Sequence, residues 1–261
     1  MYNLHSLLHA GVAQRTEHLP SKEVVEGSIP FTRAPMFPIS DSHKSNKIPF
    51  VTLAIIATNI FVFYKQLTLP DGDAFTLKYS LIPSNIDLLI PETLTTFITS
   101  IFLHGGFFHI ASNMWFLWIF GDNVEAHLGR IKYIFLYMVA GLVGNIFQFL
   151  LMPESSIPIL GASGAISGIL GSYMVLFPYS RIKTLLLLFF FVSVTEIPAM
   201  IYIFYWFIIQ LFSGIASLPF TFATGGIAFW AHVGGFLSGL ILTRRFRQPA
   251  KTNIIEGEIV G

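Results

Sequence analysis

Gly161-Ala162-Ser163-Gly164-Ala165-Ile166-Ser167-Gly168, or GASGAISG, is a run of very small residues broken by one isoleucine. Two readings compete for it. Small residues spaced four apart, such as Gly161 and Ala165 or Gly164 and Gly168, let the backbones of two membrane helices approach closely. A serine in such a run is also a weak nucleophile that a neighbouring base can activate. The first reading needs a small-residue partner on another helix, and Gly235 and Gly239 offer one. The second needs a histidine at the same depth.

Depth has meaning only in a membrane, and composition puts the chain there. Of 261 residues, 54% are hydrophobic and 11% charged, against about 25% charged in soluble domains. Mean hydropathy is +0.69. The apolar runs are continuous and do not alternate with period two, so helices are expected and barrel strands are not. An all-α membrane protein follows. A net charge of +1 gives no nucleic-acid footprint. The absence of cysteine excludes disulfides, thiol nucleophiles and thiolate metal sites. No HExxH motif is present, and no metal or cofactor is expected.

Crossing a bilayer takes ~20 apolar residues. Six spans are expected, at 49–67, 97–120, 131–151, 161–178, 198–216 and 225–243. The ten-residue run Leu185 to Val194, LLLLFFFVSV, is too short to cross and is expected to be an interfacial segment leading into span five. Basic residues mark the cytoplasmic loops. Lys44, Lys47, His127, Arg130, Lys132, Arg181, Lys183, Arg244, Arg245, Arg247 and Lys251 all fall on one side if both termini are cytoplasmic. The opposite loops carry Asp71, Asp73, Asp87, Glu92 and Glu154, with only Lys65 and Lys78 basic.

Outside the membrane domain, 48–245, residues 1–47 and 246–261 are expected to be disordered. The first 35 residues also back-translate to a tRNA-like pattern. Val12-Ala13-Gln14 can read GTAGCTCAG, and Gly27-Ser28-Ile29-Pro30 can read GGTTCGATTCC. The protein is therefore expected to start at Met36.

Polar side chains inside a span are costly and usually face the bundle interior. Span two carries His104, His109 and Asn113; span four Ser163 and Ser167; span six His232. Asn59, Asn145, Gln148 and Gln210 complete the amides. At ~1.5 Å per residue, Ser163 lies ~27 Å, His232 ~18 Å, His109 ~20 Å and Asn113 ~14 Å from the cytoplasmic ends of their spans. Three helices thus bring these groups loosely to one layer. His109 and Asn113, four apart, share a helical face and can donate to a developing oxyanion. No Asp or Glu lies inside spans two, four or six to orient a histidine, so a Ser–His dyad is the most these residues offer. His104 and His109, five apart, do not share a face, which argues against a two-histidine metal site.

Taken together, HIASN, GASGAISG and AHVGGFLSG on spans two, four and six resemble the rhomboid intramembrane serine proteases, and FGDNVEAHLGR after span two is similar to a segment common there. The resemblance covers about residues 36–245. It implies a six-helix rhomboid bundle of bacterial type in the cell membrane. It assigns Ser163 as nucleophile, His232 as general base, and His109 and Asn113, with the backbone N–H of Ser163 and Ala162, as the oxyanion hole. It places Gly161 where the chain enters helix four tightly. Its implied partners are the lipid bilayer and other proteins' transmembrane segments, one of whose peptide bonds is cut. Some relatives carry, four residues after the nucleophile, an aromatic that packs on the histidine; Ser167 stands there instead. A catalytically silent relative that binds transmembrane helices is the alternative. A channel using the same polar residues fits less well, because those residues stop at one layer.

Overall fold

The computed structural model describes residues 36–43, 45–188, 191–218 and 227–246. Strand β1 (Met36–Asp41) precedes α1 (Phe50–Thr68). Next come α2 (Gly72–Tyr79), a 3-10 turn at Pro83–Asn85, α3 (Pro91–Thr99) and a second 3-10 turn at Ser100–Phe102. Helices α4 (Phe107–Leu128), α5 (Arg130–Leu151) and α6 (Ser163–Leu176) follow. The hairpin β2 (Arg181–Leu188) and β3 (Phe191–Pro198) leads to α7 (Ala199–Ser217) and α8 (Phe229–Phe246).

Helices α1, α5 and α7 are each long and apolar enough to cross a membrane. A fourth crossing exists if Pro91–Phe102 and Phe107–Leu128, bent by 75° at their junction, form one span. Their outward faces carry exposed Phe61, Phe135, Phe204 and Phe212, as lipid contact requires. The bend corrects the expected second span. Residues 97–120 are not one helix: the chain breaks at 103–106, and His104 lies in the break while His109 lies in α4.

Helix α6 has 14 residues, about 21 Å of rise against a hydrocarbon core of ~30 Å. Its first residue, Ser163, therefore starts well inside the bundle. Helices α6 and α8 make the closest pairing of the fold, through glycine. A Cβ on Gly235 would stand 2.0 Å from the Gly164 carbonyl oxygen, and one on Gly239 2.0 Å from that of Gly168. On the other side, a Cβ on Gly168 would meet Ala140 of α5 at 2.2 Å. Gly161 is a correction. It precedes the helix, has φ +126°, and borders His109 rather than the α8 seam.

One further expectation is corrected, and another gains a form. Residues 36–41, assigned to a disordered segment, form a strand, and the described residues of the run Leu185 to Val194 lie in the hairpin strands that lead into α7. The antiparallel order is β1-β2-β3, with Met36 opposite Leu186 and Arg181 opposite Pro198. A short apolar run fits helix or strand equally, and the phenylalanines, valines and threonines here favour the strand. Side chains fasten the sheet to the helices. Trp115 Nε1 donates to the Pro38 carbonyl at 2.8 Å, Asn123 Nδ2 to Asp41 Oδ2 at 2.7 Å, and the Tyr173 hydroxyl to the same carboxylate. Residues 1–35 and 247–261 lie outside the described residues, as do the start of the expected sixth span and Arg247 and Lys251.

Candidate active site

The first turn of a helix leaves its N–H groups without intrahelical partners. In α6 the first intrahelical bond runs from Ile166 N to the Ala162 carbonyl at 2.9 Å. The earlier amides, Ser163 among them, thus project from a helix end whose dipole favours negative charge. Ser163 occupies that end and stays partly exposed.

His232, on α8, is 1% exposed. Its Nε2 lies 2.8 Å from Ser163 Oγ. Its placement depends on how α8 begins. Gln148 of α5 accepts hydrogen bonds from Trp230 N at 3.0 Å and Ala231 N at 3.3 Å. A side chain from another helix thus caps the first turn of α8. Close approach of α5 to α8 completes the placement: a Cβ on Gly144 would meet the Ala231 carbonyl oxygen at 2.5 Å. Asn145 secures the neighbouring turn by donating to the Phe97 carbonyl at 2.8 Å and to Ser100 Oγ at 3.0 Å.

His109 and Asn113 reach the site from α4, both buried. A methyl group placed on Gly161 would come within 2.8 Å of His109 Nε2 and 3.8 Å of Asn113 Nδ2. Glycine is thus required twice over there, by its φ and by the imidazole beside it. The residue before Ala162-Ser163 therefore borders both polar side chains of α4. Neither polar atom of the Asn113 amide has a hydrogen-bond partner among the described residues. His109 Nδ1 accepts a long bond, 3.4 Å, from Gly105 N, which leaves Nε2 on the Gly161 side. The His104 ring stacks edge-on to His109, with centroids 5.2 Å apart. The two histidines lie close because His104 sits in the bend, where helical face-counting does not apply.

Ser167 is set apart from this constellation. Its Oγ donates to the Ser163 carbonyl at 2.6 Å, within its own helix. The aromatic neighbour of the histidine comes from α7: the Trp206 ring lies 6.0 Å from that of His232, tilted by 38°. Gln210, one turn further along α7, places Oε1 2.8 Å from His232 Nδ1. The two-member reading omitted this third group. Gln210 was visible in the sequence as a buried amide of span five, but nothing in its spacing pointed to span six.

The geometry can support acyl transfer. A hydroxyl in contact with an imidazole sits at a helix N-terminus, beside an uncommitted amide and a second imidazole.

Comparison with known proteins bears on which chemistry is carried out on this frame. The family described as the Rhomboid domain matches residues 91–249. Rhomboid protein 1, mitochondrial, of Saccharomyces cerevisiae is 31% identical over 156 residues, 58% of this chain and 42% of that one. Rhomboid protease GluP of Bacillus subtilis is 30% identical over 205 residues, 78% and 36% of the two chains. The presenilin-associated rhomboid-like protein, mitochondrial, of Bos taurus is 30% identical over 136 residues, 51% and 34%. The matched parts thus cover less than half of each relative. Bacterial and mitochondrial proteins both appear among them, so the likeness does not single out a bacterial type. Carried by a match over more than half its length and by a largely helical fold with membrane-crossing helices, the chain belongs to the rhomboid family of integral membrane proteins.

Proposed function

We propose that the protein is an intramembrane serine endopeptidase that hydrolyses a peptide bond in or near a transmembrane segment of other membrane proteins. The observation that carries this reading is the 2.8 Å contact between Ser163 Oγ and His232 Nε2, in a chain whose relatives include a rhomboid protease. Ser163 is the nucleophile and His232 the general base. As Oγ attacks the carbonyl carbon, its proton passes to Nε2. The carbonyl oxygen takes up the negative charge, facing the side chains of His109 and Asn113 and the backbone N–H of Ser163 and Ala162. Collapse of this adduct breaks the C–N bond, and His232 returns the proton to the leaving amine. Water then attacks the ester on Ser163 by the same route in reverse, releasing the acid and restoring the hydroxyl.

The proposed setting is a six-span bundle with both termini cytoplasmic, in a bacterial cell membrane. The loop charges support the orientation, and the similarity to the Bacillus protein supports the address. The mitochondrial relatives make a mitochondrial membrane the competing address.

A fluorophosphonate probe tests the chemistry on purified protein. Labelling of the wild type and of Ser167→Ala, with none of Ser163→Ala or His232→Ala, is the expected pattern. An unlabelled, folded wild type would instead favour a silent protein that binds transmembrane helices.

A further inference from the structure

We propose that Gln210 is the positioning residue for His232, holding the imidazole with its proton on Nδ1 so that the Nε2 lone pair faces Ser163. This inference rests on the proposed function and deepens it.

A neutral imidazole carries one N–H, and its tautomer is set by its partners. The serine contact cannot set it, because a hydroxyl both donates and accepts. Gln210 Oε1 carries no hydrogen, so at 2.8 Å from Nδ1 it requires the proton there. Nε2 is then free to accept from Ser163 Oγ at 2.8 Å. The ring is held at both nitrogens along one line, from α7 through α8 to α6. Gln210 is 2% exposed and His232 1%, so little water is available to replace the amide. One turn earlier on the same face of α7, Trp206 packs beside the ring. A single helix face thus supplies a hydrogen-bond acceptor at the ring edge and an aromatic neighbour.

An amide in this position also fits the surroundings. A carboxylate would orient the ring equally well, but an ionised group inside the bundle is expensive. Gln210 orients without adding charge, and its contribution is geometric: it removes the unproductive tautomer.

The experiment compares Gln210→Met, which keeps the length and apolar volume but loses the oxygen, with Gln210→Glu, which keeps an acceptor. For a general base worth 10²–10⁴-fold, misplacement should lower kcat roughly 10- to 100-fold in Gln210→Met with KM little changed. Gln210→Glu should restore much of that loss although its buried carboxylate lowers thermal stability below that of Gln210→Met, so activity and stability should move in opposite directions. The second readout needs no turnover. In ¹⁵N-histidine-labelled Ser163→Ala protein, the His232 resonance, identified by its loss on further substitution with Gln, should report protonation at Nδ1. It should become a mixture when Gln210→Met is added. Protonation at Nε2, the outcome if the Gln210 amide turned its NH₂ toward the ring, overturns the proposal. So does wild-type kcat in Gln210→Met. A wild type that neither cleaves nor labels defeats the proposed function instead, and the tautomer measurement still reports on Gln210 separately.

Discussion

Gly235 of α8 and Gly164 of α6 meet backbone to backbone, so closely that a Cβ on Gly235 would lie 2.0 Å from the Gly164 carbonyl oxygen. This contact adjoins Ser163 and lies about one turn from His232, and the depth of the approach sets how near those side chains stand. Backbone cannot swing aside as a flexible side chain can. Gly235→Ala should therefore push α6 and α8 apart, with an overpacking cost of about 1–3 kcal/mol and a large loss of activity. Gly164→Ala is the control, since its nearest contact, the Ala231 carbonyl oxygen, would be an ordinary 3.4 Å away. Thermal unfolding in detergent and probe labelling should separate the two. Equal melting temperatures would show the seam to be more yielding than its geometry.

Asn113 is fully buried with neither amide atom paired among the described residues. In its proposed role as an oxyanion donor, this amide should matter for kcat more than for binding. Asn113→Ala is expected to lower kcat about 10²-fold with KM nearly constant. Steady-state cleavage of a model transmembrane substrate measures both; undiminished kcat removes Asn113 from the oxyanion hole.

Glu125 of α4 caps α1 from outside. Its carboxylate accepts from Val51 N at 2.9 Å and Thr52 N at 2.8 Å. Negative charge at a helix N-terminus is favourable, and buried N–H groups left unpaired are costly. Glu125→Ala should lower stability by on the order of 3 kcal/mol, with Glu125→Gln in between. If Glu125→Ala unfolds at the wild-type temperature, the first turn of α1 finds other partners.

Asp41 predicts a pH dependence. Burial raises its pKa above the ordinary 3.8, although bonds from Tyr173 and Asn123 and the nearby His43 pull the other way. The folded protein thus holds this proton more tightly than the unfolded chain. The stability tied to it is complete below pH 3.8 and is lost as pH rises through the folded-state pKa. Asp41→Asn, which keeps an acceptor but no charge, should melt above the wild type at neutral pH, and the gap should close on acidification. A gap that widens toward low pH would mean that the hydrogen bonds outweigh burial.

Much of the candidate site's geometry could be read from the sequence because it rests on local signals. Ser163 stands among small residues, His109 and Asn113 share a face of one helix, and Gly235 and Gly239 repeat at four. What escaped depends on relations between distant segments. Gln210 is an unremarked amide until α7 packs beside α8. His104 reaches His109 only because it sits in the break where the chain bends by 75° ahead of α4. Gly161 fits a small-residue repeat by spacing, yet it lies ahead of the helix and serves a different neighbour. The hairpin was missed because ten apolar residues carry no period that separates helix from strand, and its pairing with β1 spans most of the described chain.

That pairing has a consequence for the order of assembly. Strand β1 comes first of the described elements, yet its hydrogen-bond partner β2 follows α6. During synthesis β1 must stay unpaired while α1 to α6 are made, and it can close only once the hairpin arrives. Closure of this long loop comes late by its entropy. Asp41 at the end of β1 then meets Asn123 of α4 and Tyr173 of α6, so the clasp closes only around helices that have already found each other. The sheet is a fastener that can engage only after α6, and a chain that lacks β1 should assemble its helices yet hold them less tightly.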